Sequence, residues 1–468
     1  MNVMPGLIKP NDKHIAALIA LVGEEHSVSG EAAIDYSHDE SPEISATPSV
    51  VLKPADETQI AEIMRYANSE SIPIVPRGLG TGVAGGAVPF DGAVVLSLER
   101  LNRIIEIDTD NLMVVTQPGV VVEELQRAVK EKGLMYPPDP ASQDTCSIGG
   151  NIATNAGGMS AVKYGVTRDY VKGIRAVLAT GEIIAYGGKL VKNVAGYDLL
   201  HIIIGSEGTL AIVTEITLKL IPLPKCHIDL LIGFESVKAA TEAVSEIIRR
   251  RIVPTSIEFM EGDIVRMVAE KSSATVPMVD AGAHLIISID ADDDEELKRR
   301  YLELGDIALE LGAMDVLVAD SPHLQKRLWE PRISSRDIIR EVSPTIMAED
   351  IAVPRAKLPQ LWEGARKLGE KYGIRVLSFG HAGDGNLHID ALKENIPDKE
   401  WEDKMEKYVP DLLKLAVKLG GTITGEHGIG YIKRKYLHIG VGKAERELMA
   451  RIKKAFDPNG ILNPGKVI

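Results

Sequence analysis

The apolar and polar positions in the first half of the chain follow two different periods. Short segments rich in valine and isoleucine, bounded by glycine, proline or charged residues, predict strands. These predicted strands lie at residues 49–54, 72–76, 93–98, 113–119, 174–179, 182–187 and 210–221. Residues 56–70 and 121–133 instead repeat apolar positions every three or four residues, which predicts helices with one buried face. The pattern therefore indicates a mixed fold of short strands and helices.

The second half changes character after Pro222 and Pro224. Strand–helix–strand units of the kind that build a split α/β sandwich follow, and then a pair of strands joined by a glycine turn. Predicted strands lie at residues 226–234, 284–290 and on both sides of 383–385, and predicted helices lie at 236–251, 404–419 and 443–456. We therefore predict an α+β fold with four parts. They are a helical lead-in at residues 1–45, a first domain at 46–224, a second domain at 225–425 and a C-terminal segment at 426–468.

Composition and charge exclude several classes of protein. The chain has 468 residues and a formal net charge of −14, whereas a protein that binds nucleic acid needs a basic surface for the phosphates. Cys146 and Cys226 are the two cysteines, too few for a four-thiolate iron–sulfur or zinc site. The apolar run at residues 15–22 is shorter than the roughly 20 residues of a membrane-spanning helix. We expect a soluble, cytoplasmic protein whose two cysteines are buried free thiols, with a disulfide between them as the alternative.

An acid-rich run at residues 290–296 matches a calcium-binding loop over three positions only. The sixth place of such a loop requires glycine and the twelfth an acid, but the twelfth place here is Tyr301. We predict a strand end followed by the N-terminus of a helix, where the helix dipole favours acidic side chains.

A glycine-rich stretch at residues 76–86 contains Gly80, Gly82 and Gly85 with the spacing of a dinucleotide-binding loop. In a Rossmann fold that loop opens a helix whose N-terminus receives the pyrophosphate. Here Pro89 and an Asp-Gly turn lead into another strand, which argues against a nicotinamide site. Such a loop can still present successive backbone N–H groups to an anion.

Two further glycine-rich stretches occupy residues 147–158 and 205–210. One alternative is that each is only a tight connection between elements. Because three such stretches in one predicted domain are more than turns require, we interpret the set as a binding site for an anionic cofactor.

Several motifs resemble a known superfamily in their order and spacing. PRGLGTGVAGG, PPDPAS, SIGGNIATNAGG, Tyr164-Gly165 and GSEGTL resemble the FAD domain of the vanillyl-alcohol oxidase and p-cresol methylhydroxylase superfamily. GHAGDGNLH, GEHGIG and FDPNGILNPGK resemble its branch acting on D-2-hydroxy acids, which contains the glycolate oxidase flavin subunit, D-lactate dehydrogenase and D-2-hydroxyglutarate dehydrogenase. The resemblance covers the chain from about residue 45 onward. It implies a two-subdomain FAD-binding domain, an α/β cap domain with an antiparallel sheet, and a C-terminal helical return to the FAD domain.

The resemblance also implies which residues bind FAD, with the first loop holding the pyrophosphate and the other motifs lining the rest of the cofactor. The implied cofactor-binding residues are Pro76, Arg77, Gly78, Leu79, Gly80, Thr81, Gly82, Pro140, Ala141, Ser142, Gly149, Gly150, Asn151, Thr154, Gly157, Gly158, Tyr164, Gly208, Thr209, Leu210, Ile212 and Asn463. Some relatives attach the flavin to a histidine in the first loop. Residues 77–86 contain no histidine, so we expect FAD to be bound without a covalent bond.

Two histidines flank the glycine turn of the second domain. His381 and His388 are seven positions apart, which on one straight strand would place them on opposite faces. A turn between them places both imidazoles on adjacent strands, where they can converge on one ion, and Glu426 can add an oxygen ligand. The alternative is that each histidine is structural. Two histidines and a carboxylate suit Zn²⁺, Mn²⁺ or Fe²⁺, and the resemblance implies a metal at these three positions.

Oxidation of a 2-hydroxy acid gives the remaining candidates their roles. A metal at the substrate hydroxyl lowers its pKa, and a neutral histidine can accept the proton; His427, next to Glu426, is the candidate base. The substrate carboxylate favours the bidentate geometry of arginine, and the resemblance assigns this role to Arg332. Asn386 is expected to orient a ligand or the substrate.

Substrate size and redox partner remain open at this point. Relatives selective for a dicarboxylate carry a lysine where Ala348 stands, which favours D-lactate first and glycolate next. Arg336 lies near Arg332 in sequence and keeps D-2-hydroxyglutarate as an alternative. We expect a separate electron acceptor, such as an electron-transferring flavoprotein or an iron–sulfur subunit, and the sequence leaves open whether the protein forms oligomers. Alternatives from other classes are a non-redox metal-dependent hydrolase or lyase and a pure electron-carrier flavoprotein subunit.

Overall fold

The computed structural model describes residues 6–41, 44–271 and 276–468. The chain divides into two units. The first unit comprises Met1–Gly157, Val166–Leu223 and Glu426–Ile468, and the second comprises Gly158–Gly165 and Pro224–Gly425. Among the described residues, no helix is both long and apolar enough to cross a membrane.

The strands are numbered in chain order. They are β1 Ser27–Val28, β2 Val50–Leu52, β3 Ile74–Arg77, β4 Val94–Ser97, β5 Ile104–Asp108, β6 Met113–Thr116, β7 Leu134–Met135, β8 Val171–Leu178, β9 Ile183–Gly187, β10 Ala211–Lys219, β11 Ile221–Pro222, β12 Cys226–Phe234, β13 Ser256–Glu261, β14 Ala283–Ala291, β15 Ala313–Ala319, β16 Ile346–Ala352, β17 Arg375–His381 and β18 Asn386–Leu392.

The helices are numbered in the same way. They are α1 Asp12–Val22, α2 Glu57–Ser69, α3 Val122–Lys130, α4 Ile148–Thr154, α5 Ala161–Tyr164, α6 Thr167–Tyr170, α7 Leu199–Ile203, α8 Val237–Arg249, α9 Gly262–Lys271, α10 Asp294–Glu310, α11 Pro322–Val342, α12 Leu358–Tyr372, α13 Asp398–Lys418, α14 Leu437–Gly440 and α15 Lys443–Phe456. Short 3-10 helices occupy Glu24–His26, Gly30–Tyr36, Arg355–Lys357, Ala382–Asp384 and Arg434–Tyr436.

The first unit contains a four-stranded sheet in the order β1-β2-β4-β3 and a five-stranded sheet in the order β5-β6-β10-β8-β9. In the smaller sheet β2, β3 and β4 are parallel, and in the larger sheet all pairs are antiparallel. A shared core joins the two sheets, because Val50 and Val94 pack in one apolar cluster with Val177 and Ile212. Leu462 of the C-terminal segment belongs to the same cluster.

The second unit is built on a seven-stranded antiparallel sheet in the order β15-β12-β14-β13-β17-β18-β16. The helix α11 packs with α9 over an apolar cluster that includes Leu231, Ile286 and Phe379. The central position of β13, between β14 and β17, makes its side chains among the most buried of the unit. All six residues of β13 are buried.

The predicted fold class is confirmed, with differences in single elements. The N-terminal helical lead-in contains α1, whose Leu18 is buried in the core of the first unit, but it also contains β1, which pairs with β2. Residues 1–5 and 42–43 of that segment lie outside the described residues. The helix start predicted after the acid-rich run is confirmed, because the side chain of Asp293 accepts the Glu296 N–H at the start of α10 (2.8 Å).

Candidate functional site

The first glycine-rich stretch joins the end of β3 to β4, and the two strands are parallel neighbours. No helix lies between them in the described structure, so the strand-to-strand prediction is confirmed. Arg77 ends β3 with its guanidinium folded under the loop, where Nη1 donates to the His38 carbonyl oxygen (2.6 Å). A Cβ on Gly80 would lie 2.0 Å from Arg77 Nη2 and its φ is +81°. The positive φ favours glycine at this position, and a Cβ would also displace the Arg77 guanidinium.

The second glycine-rich stretch is not a loop throughout, which corrects the sequence interpretation. Ser147 accepts the Gly150 N–H (3.2 Å) as an N-cap and starts the helix α4. A Cβ on Gly78 of the first loop would lie 2.7 Å from Ser147 Oγ, and one on Gly149 would lie 2.5 Å from Pro118 Cβ. Gly78 therefore lies against the Ser147 cap of α4, and Gly149 lies against Pro118, so neither position has room for a side chain.

Buried polar atoms without partners mark the same region of the first unit. Within the described residues, Asn151 Nδ2 and Asn463 Oδ1 are buried without a hydrogen-bond partner. Asn463 donates through Nδ2 to the carbonyl oxygens of Gly86 (3.1 Å) and Glu207 (2.8 Å), so it ties the first and third glycine stretches together. An amide donor and an amide acceptor beside the glycine-rich stretches fit a polar cofactor such as FAD. Unpaired buried polar atoms are costly, and such a cofactor would supply their hydrogen-bond partners.

The other implied cofactor residues are placed as follows. Thr154 Oγ1 donates to the Gly150 carbonyl (3.2 Å), and Thr209 Oγ1 donates to the Ser206 carbonyl (2.7 Å). Leu210 and Ile212 are buried. The backbone carbonyl oxygens of Pro140 and Ser142 accept from the Gln143 and Cys146 N–H groups, and Ala141 between them is exposed. Leu79, Thr81 and Gly82 follow Gly78 in the first loop, and a Cβ on Gly208 would lie 2.7 Å from Pro76 Cγ.

Gly158 and Tyr164 belong to the second unit, whereas the other implied cofactor-binding residues belong to the first. The Tyr164 hydroxyl donates to Asp290 Oδ2 (2.8 Å), and the neighbouring Lys163 ammonium also bonds Asp290. These two bonds attach residues 158–165 to the second unit.

The C-terminal segment holds the far end of the first loop. Lys466 is 2% exposed, and its Nζ donates to the carbonyl oxygens of Gly85 and Val88 (2.6 Å each). Burial lowers the pKa of Lys466 to about 8, although the charges of Asp39 and Glu207 act in the opposite direction. The Glu207 carboxylate accepts the backbone N–H groups of residues 429 and 430 (2.8 Å each). Burial raises the pKa of Glu207, and these two bonds lower it in part.

Glu426 and His427 lie in the first unit, and Glu426 is close to the second glycine-rich stretch. Glu426 Oε2 lies 3.4 Å from the position that a Cβ on Gly157 would take. A ligand atom of Glu426 and one of His427 lie within 4.8 Å of each other, and both side chains are half-buried. The predicted third metal ligand and the predicted base therefore lie next to one of the implied flavin-lining residues.

In the second unit, strand register brings the predicted metal ligands onto one face of the sheet. The predicted hairpin is confirmed: Phe379 of β17 pairs with His388 of β18, and Asp350 of β16 pairs with His388 from the other side. His381 lies two residues from Phe379 and so shares its face. The ring centroids of His381 and His388 are 5.4 Å apart, and a carboxylate oxygen of Asp350 lies within 4.8 Å of a His388 ring nitrogen.

Asn386 lies on the same face and is 6% exposed. Its Nδ2 donates to Asp350 Oδ1 (2.6 Å) and to the Ile351 carbonyl (3.2 Å). Because both partners are acceptors, the amide orientation is fixed, and Oδ1 is left buried without a partner among the described residues. The second Asp350 oxygen accepts Thr424 Oγ1 (2.9 Å) and the Gly425 N–H (2.8 Å).

Arg332 projects from α11 toward the same face and is held by Glu258 of β13. Its Nε and Nη2 lie 2.9 and 2.8 Å from Glu258 Oε2, while Oε1 of the same carboxylate lies 2.7 Å from His381 Nδ1. Burial alone would raise the pKa of Glu258, but the charges and hydrogen bonds of His381 and Arg332 lower it below its ordinary value. Arg332 and Arg336 also lie over the Phe379 ring, 5.0 and 5.5 Å from its centroid.

Glu258 and Asp350 were not identified from the sequence. Each is an acid within an apolar strand, Glu258 between Ile257 and Phe259, and Asp350 before Ile351. The only local signal is an acidic side chain at a strand position that should be buried. That signal identifies neither the partner nor the face of the sheet.

The fold is that of a known class of flavoproteins. It matches the solved structure of p-cresol methylhydroxylase with bound substrate, at a TM-score of 0.81, with 19% identity, 97% of this chain and 96% of the other covered. A family model described as FAD binding domain matches residues 48–187, and one described as FAD linked oxidases, C-terminal domain, matches residues 224–467.

Named relatives match over their whole length. The glycolate oxidase subunit GlcD of Bacillus subtilis is 40% identical, with 96% of this chain and 95% of the relative covered. D-lactate dehydrogenase of Anaerostipes hadrus is 38% identical, with 100% and 98% covered. The chain belongs to the FAD-linked oxidase family and carries that family's FAD-binding domain.

Proposed function

We propose that the protein is an FAD-dependent dehydrogenase that oxidises a small D-2-hydroxy acid to the 2-oxo acid, with D-lactate favoured and glycolate next. The observation that carries the proposal is the convergence of an arginine and two histidines on one face of the second unit's sheet. Arg332 suits a carboxylate, and His381 and His388 suit a metal at the adjacent hydroxyl. Relatives named for glycolate and D-lactate oxidation support the same substrate class.

The reaction removes a hydride from Cα and a proton from the hydroxyl of the substrate, and so converts the C–OH group into a C=O group. FAD, when bound, supplies the hydride acceptor at its N5 atom. In our proposal Arg332 binds the substrate carboxylate and fixes which face of Cα is presented. His427 accepts the hydroxyl proton, and Asn386 Oδ1, buried without a partner in the described chain, accepts a hydrogen bond from the substrate or orients a ligand.

The proposal includes a divalent metal, Zn²⁺, Fe²⁺ or Mn²⁺, with His381, His388 and Glu426 as ligands. Asp350 is a further candidate, because its carboxylate lies within 4.8 Å of a His388 nitrogen. Asp350 also binds the Gly425 N–H, and Glu426 is the next residue, with consecutive Cα atoms about 3.8 Å apart. Carboxylate oxygens and imidazole nitrogens are suitable donors for these ions. A metal held there would stabilise the developing alkoxide.

One observation favours a second candidate substrate, D-2-hydroxyglutarate. Arg336 lies one helical turn after Arg332, with its guanidinium 5.5 Å from the Phe379 ring centroid, and could receive a second carboxylate. Ala348 on β16 offers no charge for a second carboxylate, at the position where the resemblance implies a lysine in enzymes selective for a dicarboxylate. We therefore place the monocarboxylates first.

Anaerobic titration of the purified, FAD-loaded protein tests the proposal. D-lactate, glycolate, L-lactate and D-2-hydroxyglutarate are added separately while the flavin absorbance is recorded. We expect D-lactate to bleach the flavin with one equivalent per FAD and L-lactate to leave it oxidised. A colourless protein would favour a non-redox metal-dependent hydrolase or lyase, and a yellow protein that no hydroxy acid bleaches would favour an electron-carrier subunit.

The electron acceptor is also part of the proposal. Cys146 and Cys226 are both free thiols; Cys146 is buried as expected, whereas Cys226 is only half-buried. Two thiols cannot supply the four ligands of an iron–sulfur cluster. We propose that electrons leave the flavin to a separate protein, either an electron-transferring flavoprotein or an iron–sulfur subunit. Reoxidation of the bleached protein by such a carrier, at a rate far above that with oxygen alone, is the expected result.

A further inference from the structure

Glu258 is a fully buried carboxylate that the proposed reaction does not use. It lies on β13, opposite His381 in the strand register, and is 0% exposed. Its two oxygens serve different partners. Oε1 lies 2.7 Å from His381 Nδ1, and Oε2 lies 2.9 Å from Arg332 Nε and 2.8 Å from Arg332 Nη2. One buried acid therefore contacts both a predicted metal ligand and the predicted carboxylate-binding residue.

The hydrogen bond to His381 determines which ring nitrogen can bind a metal. A carboxylate paired with an arginine is an acceptor only, so the facing Nδ1 of His381 must be the donor. A neutral imidazole carries a single N–H, and Nε2 is then left with its lone pair. A carboxylate behind a histidine also raises the basicity of the opposite nitrogen.

The hydrogen bonds to Arg332 determine which edge of the guanidinium is available. Glu258 Oε2 takes the edge formed by Nε and Nη2, and no hydrogen bond to Nη1 is found among the described residues. The planar group is therefore locked in one orientation over Phe379, and its Nη1–Nη2 edge is left to bind a carboxylate. Without Glu258, Arg332 would keep its charge but lose this orientation.

We infer that Glu258 is a positioning residue that fixes the metal-binding tautomer of His381 and the orientation of Arg332 at the same time. This inference rests on the proposed function, because it assumes that His381 binds a metal and Arg332 a carboxylate. Its consequence is that one side chain couples the two subsites. A change at Glu258 alters metal affinity and substrate affinity together, although Glu258 touches neither ligand.

Glu258→Gln tests the inference, since glutamine keeps the shape of glutamate but offers one acceptor and one donor group. It cannot accept from both His381 and Arg332. The matched control is Glu261→Gln on the same strand. Glu261 is also buried, but its oxygens accept Trp362 Nε1 and the Ser378 N–H (2.6 Å each), and its odd spacing from Glu258 places it on the opposite face.

The measurement is Zn²⁺ affinity by competition with a chromophoric chelator, together with KM for D-lactate and the thermal unfolding midpoint. We expect Glu258→Gln to weaken Zn²⁺ binding about 10- to 100-fold, the range for loss of a metal-supporting carboxylate, and to raise KM. Glu261→Gln should change the midpoint only. A Glu258→Gln protein whose Zn²⁺ affinity is within twofold of wild type would overturn the inference while leaving the proposed function intact.

Failure of the proposed function and failure of the variant to fold can each be told apart from failure of the inference. If the wild-type protein neither binds Zn²⁺ nor is reduced by a hydroxy acid, the proposed function itself fails. If Glu258→Gln does not fold, Glu258→Asp takes its place, because it keeps both acceptors but withdraws them by one methylene. We then expect intermediate losses in both Zn²⁺ affinity and KM, and wild-type values of both in the Asp variant would contradict the inference.

Discussion

Replacement of Lys466 by methionine is expected to change how stability depends on pH. Lys466 is buried beneath the first glycine loop, and its Nζ donates to the carbonyl oxygens of Gly85 and Val88. Methionine keeps most of the side-chain volume but removes the ionisable group. Burial lowers the pKa of Lys466 to about 8, from an ordinary value of 10.5. Between these two values the unfolded chain holds the proton more strongly than the folded chain does.

The size of the effect follows from this difference in proton binding. Raising the pH from well below 8 to well above 10.5 should stabilise the wild-type protein by about 3 kcal/mol through this group alone. Of this, about 2 kcal/mol falls between pH 7.5 and pH 9.5. The sign is positive with rising pH, because the folded state carries the uncharged amine and the unfolded state the charged one.

Urea unfolding at pH 7.5, 8.5 and 9.5, with FAD at one fixed excess, measures this difference. The free energy of unfolding of the wild-type protein minus that of Lys466→Met should grow by about 2 kcal/mol across the series. The ionisation of groups that do not interact with Lys466 is common to both proteins and cancels, and only the nearby carboxylates Asp39 and Glu207 are coupled to its charge. Lys443→Met, at a position whose side chain is 86% exposed, serves as the surface control. A wild-type minus Lys466→Met difference that stays constant with pH would refute the reasoning.

Two further predictions concern the predicted cofactor and substrate residues. Gly149→Ala should weaken FAD binding and release the flavin on gel filtration, because its Cβ would lie 2.5 Å from Pro118 Cβ. The control is Gly305→Ala, whose Cβ would meet nothing closer than 3.8 Å. This control should keep FAD and gain up to about 1 kcal/mol of stability. Retention of FAD by Gly149→Ala would contradict the prediction that the glycine-rich stretches bind FAD. Arg332→Lys should raise KM for D-lactate about 10-fold or more and change kcat less, since lysine cannot reproduce the planar fork; an unchanged KM would remove the carboxylate-binding role.

Most strands of the first unit could be predicted because their signal is local, whereas the pattern does not predict β1, β5 or β7. Each of β2, β3, β4 and β10 is a short run of buried apolar residues between turn-forming residues, and periodicity detects such runs. The hairpin of β17 and β18 was predictable for the same reason, since Gly385 with φ +86° marks the turn. Local signals therefore recovered the elements that carry most of the predicted site.

The helix α11 could not be predicted, although it carries Arg332. Pro331 lies inside it, and an internal proline normally argues against a helix because it removes a backbone donor and crowds the preceding turn. Ser335 Oγ donates to the Pro331 carbonyl (2.6 Å), and the helix buries Leu328 and Ile339 against the sheet. Tertiary packing here overrides the local preference, and a single sequence does not show that packing.

The acidic residues of the site were missed for a different reason. Glu258 binds Arg332 and Asp350 binds Thr424, each 74 positions away in the chain. No local pattern could connect residues so far apart. The glycine-rich stretch that forms α4 has no helical pattern in its sequence, because its helix depends on the Ser147 cap rather than on helix-favouring residues. Long-range pairing and capping are the parts of the site that the chain pattern does not contain.

Metal dependence of flavin reduction tests the central claim most directly. Metal is removed from the FAD-loaded protein with a chelator, and the protein is mixed anaerobically with D-lactate in a stopped-flow instrument. The flavin bleaching rate is measured again after Zn²⁺ or Mn²⁺ is restored. The His388→Ala variant is treated in the same way. We predict that stripping slows flavin bleaching by at least 100-fold, that metal restores the wild-type rate, and that His388→Ala stays slow with or without metal. Equal bleaching rates in all of these samples would contradict the account.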